Sequence, residues 1–141
     1  MNVYVALLRG INVGGKNLIK MTDLADCFQG LGFTQVRTYI QSGNVIFATD
    51  ESDRAGLAAR LESTLSETFQ YAASLVLRSA KEMQSVIVDA PEGFGAEPDV
   101  YRYDVLFLKE PLTAAEAMQS VKDRPGVDRT LPGEGVLYHA R

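Results

Sequence analysis

The segment Val3-Tyr4-Val5-Ala6-Leu7-Leu8 is an unbroken apolar run that ends at Arg9-Gly10. A short apolar run followed by a charge and a glycine is typical of a strand that is buried on both of its faces. We therefore predict that residues 3–8 form a central strand. The segments that follow must supply the neighbouring strands and the helices that cover the sheet.

A helix is predicted directly after a Gly-rich loop at residues 10–17. The apolar residues that share one helical face are Leu24, Cys27, Phe28 and Leu31. Their spacing is that of an amphipathic helix. Thr22 is the expected N-cap residue, and Gly32 is the expected stop after the last turn.

Two strands and a second helix complete the first half of the chain. Residues 36–41 alternate between apolar and polar side chains, Ser42-Gly43-Asn44 is a turn signal, and residues 45–49 return. A helix is predicted to about residue 70, and a strand at residues 74–78. The order β-α-β-β-α-β predicts a ferredoxin-like α+β unit over residues 1–78, with its strands in the order 4-1-3-2.

The second half repeats part of this order. We predict a helix and a linker at residues 79–101, followed by a partial β-α-β-β unit at residues 102–141. The linker is residues 91–101, which are rich in Gly, Pro and acids. The strand at residues 102–109, the helix at residues 114–121 and the hairpin at residues 127–140 make the unit an incomplete copy of the first.

Composition and charge narrow the class of protein. Apolar residues make up 46% of the 141 residues, and the net charge is −4, which disfavours nucleic acid as a partner. No run is long enough for a membrane span, and the single cysteine fits a reducing compartment, so we expect a cytoplasmic protein with no membrane partner. No Cys/His/Asp grouping suggests a metal, and we predict no cofactor.

The Gly-rich loop is the clearest candidate for chemistry. Gly10-x-x-x-x-Gly15-Lys16-Asn17 is close to the phosphate-cradling pattern, but Asn17 replaces the hydroxyl residue and the helix begins too late. A nucleotide-hydrolysing loop is therefore disfavoured, whereas a simpler anion site is favoured. Residues 1–22 support that site, because they carry three basic residues and no acid. A flexible connection without a ligand is the alternative.

A second group of candidates lies on the polar face of the strand at residues 36–41. Alternation places Arg37, Tyr39 and Gln41 on one face. We predict that the loop and this face form one binding site; an ordinary solvated sheet face is the alternative. Its candidate ligand-binding residues are Arg9, Asn12, Gly14, Gly15, Lys16, Asn17, Arg37, Tyr39, Gln41, Ser42 and Asn44.

Two other classes of function stay open. The first is an RNA-binding module, because the same topology can bind RNA through aromatic residues on its first and third strands, where Tyr4 and Phe47 lie. The second is a domain that forms a homodimer. The sequence does not distinguish an enzyme from a binding protein: Cys27 lies on an apolar helix face, and Ser42 has no evident base.

Two long motifs carry a family resemblance. Tyr4-Val-Ala-Leu-Leu-Arg-Gly-Ile-Asn-Val-Gly-Gly-Lys-Asn17 and Val36-Arg-Thr-Tyr-Ile-Gln-Ser-Gly-Asn-Val45 resemble the domain-of-unknown-function 1697 family. The resemblance implies a bacterial α+β protein with two related ferredoxin-like units and no assigned activity. It also implies that the chain is truncated relative to the family or is a short member, because members continue beyond the equivalent of Tyr138 with a motif that contains tryptophan.

Overall fold

The computed structural model describes residues 1–39 and 43–141; Ile40, Gln41 and Ser42 are outside the described residues. Seven strands and four helices occur in these ranges. In chain order they are β1 (Asn2–Leu8), α1 (Met21–Gly30), β2 (Thr34–Tyr39), β3 (Asn44–Thr49), α2 (Arg54–Phe69), β4 (Leu75–Ser79), α3 (Ala80–Val88), β5 (Tyr103–Phe107), α4 (Ala114–Met118), β6 (Arg129–Pro132) and β7 (Val136–Ala140).

The first sheet has the predicted strand order. β1 pairs antiparallel with β3 on one side and with β4 on the other, and β2 pairs with the outer side of β3. The order β2-β3-β1-β4 places the apolar first strand at the centre. The predicted order of elements, β-α-β-β-α-β, is present as well.

The start of α1 differs from the prediction. The helix begins at Met21, and its N-cap is Lys20, which makes no side-chain capping bond. Thr22 is therefore inside the helix, and its prediction as the cap was wrong. The reason is tertiary: Ile19 is buried at 5% exposure, and its backbone is bonded to Asn12, which fixes where the chain enters the helix.

The core of the first unit lies between one sheet face and the two long helices. α1 buries Leu24 and Phe28, and α2 buries one side chain per turn over the second to fourth turns. Four rings, those of Tyr4, Phe28, Phe33 and Phe47, pack in one cluster with neighbouring centroids 4.6–6.2 Å apart. Arg60 lies over the Phe33 ring at 5.5 Å and adds a cation–π contact.

The second sheet has the order β5-β7-β6, so β7 is central. This is the arrangement that β1, β3 and β2 have in the first sheet, with α4 in the position of α1. α4 and β6 are shorter than predicted, and the predicted start of the hairpin at residue 127 lies in a turn. The core of this unit includes Val136, Leu137 and Tyr138 of the central strand.

The chain divides into two compact units, Met1–Lys81 and Glu82–Arg141. The segment at residues 91–101, predicted as a linker, lies inside the second unit. Phe94 packs edge-to-face against Tyr103 and Tyr138, which ties the segment to the second sheet. Among the described residues, no helix has the length and apolar character that crossing a membrane requires.

Candidate functional site

The Gly-rich loop is a miniature hairpin. Lys16 N donates to Val13 O at 3.1 Å, and Asn12 N donates to Asn17 O at 3.1 Å. The two residues between Val13 and Lys16 are glycines with φ values of 60° and 75°. Positive φ at both central positions is the mark of a type I′ turn, which glycine adopts without strain. Gly14 and Gly15 are therefore explained by the backbone conformation that the turn requires.

Two asparagine side chains hold this hairpin to its surroundings. Asn12 donates from Nδ2 to Ile19 O at 3.1 Å and accepts from Ile19 N at Oδ1 at 2.8 Å. Asn17 donates from Nδ2 to Gly10 O at 2.9 Å. Both asparagines have positive φ, a conformation that asparagine tolerates better than most residues. These contacts give both residues a role in shaping the loop.

Hydrogen bonds within and beside the loop use backbone donors that a phosphate-cradling loop would need. The N–H groups already bonded to protein acceptors belong to Arg9, Asn12, Lys16 and Ile19. A cradle of that kind requires several N–H groups directed at one anion. An anion at this loop would therefore be held mainly by side chains.

The loop lies against Gly43, directly before β3. Leu8 N donates to Gly43 O at 3.1 Å, and Leu7 pairs with Asn44. A Cβ placed on Gly43 would come within 2.6 Å of Ile11 Cδ1. The two sequence motifs thus adjoin, as expected from the antiparallel pairing of β1 with β3.

Three exposed cations belong to the loop and to the segments that flank it: Arg9, Lys16 and Lys20. Arg9 follows the end of β1, and its backbone N–H is tied to Ser74 O at 2.9 Å. Within residues 1–39 and 43–141, no carboxylate forms an ion pair with any of the three. The loop therefore presents positive charge that the described part of the protein does not neutralise.

The polar face of β2 carries Arg37 and Tyr39, and both are exposed. Tyr39 pairs with Asn44 next to the loop end of the sheet, and it is 66% exposed. Arg37 lines a separate groove of about 270 Å³ with Val3 and Ile46. The position of Arg37 beside Arg9 and Lys16, which the sequence led us to expect, stays a prediction. Gln41 and Ser42 are outside the described residues.

The remaining titratable candidates have structural partners. Burial raises the pKa of the Cys27 thiol, and a hydrogen bond with Thr68 lowers it by less, so the thiol stays protonated at neutral pH.

A second group lies in the other unit, where Thr130 Oγ1 is 2.7 Å from Asp123 Oδ1 and 2.8 Å from His139 Nδ1. Because the carboxylate only accepts, Thr130 donates to Asp123 and accepts from His139. In the described ranges, no group of three potential metal ligands occurs.

The sequence reasoning missed an aromatic cavity in the second unit. Its volume is about 460 Å³, and its lining includes Phe94, Tyr101, Tyr103 and Tyr138. The sequence does contain a signal for this cavity: Phe94, Tyr101 and Tyr103 lie within ten positions, in and beside an acidic, Gly-rich segment. That segment was interpreted as a linker because glycine and proline dominate its pattern.

The fold and the loop define a mixed α+β protein with two antiparallel sheets and a cationic loop after its first strand. The chain belongs to the protein family of unknown function DUF1697, whose model matches residues 1–138. It is similar to a solved structure of the conserved bacterial protein SP0830 from Streptococcus pneumoniae, with 28% identity and a TM-score of 0.84. That match covers 99% of this chain and 77% of the other. No curated protein matches the sequence.

Proposed function

We propose that the chain binds an anionic small molecule, with a phosphoryl or carboxylate group held at the loop between β1 and α1. The observation that supports this is the exposure of Arg9, Lys16 and Lys20 without a carboxylate partner in the described ranges. Like charges on a small surface repel one another, and an anion between them removes that repulsion.

The hydrogen bonds within the loop support the proposal, because a loop that is already held in one conformation loses little conformational entropy on binding. Asn12 and Asn17 fix the hairpin, and the turn at Gly43 packs against it. Preorganisation of this kind reduces the cost of ordering side chains around a ligand. Tyr39 and Asn44 lie at the same end of the sheet and would contact the uncharged part of the molecule.

A thermal-shift screen tests the proposal with inorganic phosphate, nucleotides, sugar phosphates and carboxylates. A ligand at 100 times its Kd should stabilise the protein by about 2.7 kcal/mol. Lys16→Ala should abolish this stabilisation without altering the unliganded protein. Lys122→Ala is the matched control, because Lys122 is exposed in the other unit, and it should have no effect. Absence of any shift, or an unchanged shift in Lys16→Ala, would refute the proposal.

The RNA alternative named Tyr4 and Phe47 as its stacking residues, and their burial does not support it. Tyr4 is 5% exposed and Phe47 is fully buried, and both rings pack in the core. Single-stranded RNA at low salt belongs in the same screen, and we expect no binding with a salt dependence. Light scattering tests the dimer alternative, and a mass of 15.4 kDa in solution would exclude it.

A further inference from the structure

The aromatic cavity of the second unit has the size and the walls of a ligand site. Its volume of about 460 Å³ is within the range of small-molecule sites, about 300–1,000 Å³. Phe94 stands edge-to-face against Tyr103 at 5.0 Å and against Tyr138 at 5.2 Å. Tyr101 extends this wall, with its ring centroid 6.1 Å from that of Tyr103. The lining of the cavity therefore contains four aromatic rings.

Hydrogen bonds hold two of these rings in place. Tyr138 donates its hydroxyl to Val86 O at 2.6 Å, and Tyr103 accepts at its hydroxyl from Glu97 N at 3.1 Å. Burial and the Asp89 carboxylate raise the pKa of Tyr138, which keeps its ring uncharged. The cavity is therefore built from fixed, neutral aromatic rings.

The charge around the cavity favours a cation. Residues 82–141 carry 11 acidic and 6 basic side chains, a net charge of −5. Glu92, Glu97 and Asp128 line the cavity together with one base, Arg129. Asp128 is bonded to Arg124 at 2.7 Å and 3.0 Å. The other two acidic side chains, Glu92 and Glu97, are exposed and outnumber Arg129, so the lining has a net negative charge.

We propose that this cavity binds a small organic cation of the trimethylammonium type, as in choline. Such a group makes no hydrogen bonds through its methyl groups, and it is attracted to aromatic faces by the ring quadrupole. The walls supply the faces, and Glu92 and Glu97 supply the long-range attraction. The proposal is independent of the anion site, which lies in the other unit.

Choline titration tests the proposal by tyrosine fluorescence, with sodium chloride as the ionic-strength control. The chain has six tyrosines and no tryptophan, and three of those tyrosines line the cavity. We expect saturable binding of choline. The uncharged carbon isostere of choline, 3,3-dimethylbutan-1-ol, should bind about two- to thirtyfold more weakly, which is the range that cation–π attraction supplies. Equal binding of the two, or no saturable binding, would overturn the proposal.

Two substitutions separate the aromatic walls from the charge. Tyr101→Leu keeps apolar volume but removes a π face, and Glu97→Gln removes one charge without touching the core. Each should weaken choline binding by about twofold or more while the unfolding midpoint stays unchanged. Tyr39→Leu is the matched control, because Tyr39 is an exposed tyrosine of the first unit. Wild-type affinity in both cavity variants would overturn the proposal.

Discussion

Asn12 connects the two sides of the loop after β1, and its contacts are specific to an amide. Its side chain donates to and accepts from the backbone of Ile19, while its own φ is 54°. A carboxylate could only accept, and most other side chains are strained at this φ. The residue therefore fixes the loop that carries Lys16, although it was chosen from the sequence as a ligand-binding residue.

Replacement of Asn12 should accordingly act on stability first. We expect Asn12→Ala to destabilise the protein by about 1–3 kcal/mol, because two hydrogen bonds are lost and positive φ is disfavoured for alanine. Denaturant unfolding measures the effect. Asn2→Ala is the control, because Asn2 makes one exposed hydrogen bond with Glu51 O. Equal midpoints for the two variants would contradict the role assigned to Asn12.

At the scale of elements, the pairing of β1 with β3 brings the loop to the turn at Gly43. This prediction needed only the apolar run of residues 3–8 and the strand order, since antiparallel neighbours place opposite ends together. The start of α1 was not predictable in the same way. Thr22 has the side chain of a cap, but the long-range anchoring of Ile19 by Asn12 decides the entry point.

The irregularity in β2 is a second feature that the sequence pattern does not predict. The register with β3 shifts between Thr34 and Arg37, and Gln35 has a φ of 52°. A regular alternation placed Arg37 and Tyr39 on one face, and both are exposed. Alternation does not reveal such a register shift, because a bulge depends on pairing with the neighbouring strand. Arg37 lines a groove beside Val3.

The close approach of the loop and the turn can be tested at Gly43. Its φ is 86°, and an added Cβ would lie 2.6 Å from Ile11 Cδ1 and 3.1 Å from Leu8 Cβ. We expect Gly43→Ala to destabilise the protein by about 1–3 kcal/mol through strain and overpacking. Gly30→Ala is the control, since Gly30 is in α1 with no atom within 4 Å of its added Cβ, and it should be neutral or stabilising. Similar losses in both variants would contradict the close packing of Gly43 against Ile11 and Leu8.

At the scale of the whole molecule, the two units share a strand arrangement but differ in charge. The first unit has 8 basic and 7 acidic side chains, whereas the second has a net charge of −5. The sequence revealed the partial repetition, because strand order follows from local pattern and turn signals. The cavity was not predictable, because its walls come from residues 91–103 and from β7, which only tertiary packing brings together.

This difference in charge predicts that opposite ions act on different units. Hydrogen exchange followed by mass spectrometry should show that inorganic phosphate slows exchange around residues 9–20 and 43–44. The first range carries the cations that form no ion pair with a carboxylate of the described residues, and the second adjoins it. Choline should slow exchange around residues 91–103 instead, because Phe94 and Tyr103 line the cavity. Each unit has its own core, so an ion bound to one should leave protected amides of the other unchanged. Phosphate protection confined to the second unit would contradict the anion site, and choline protection confined to the first would contradict the cation site.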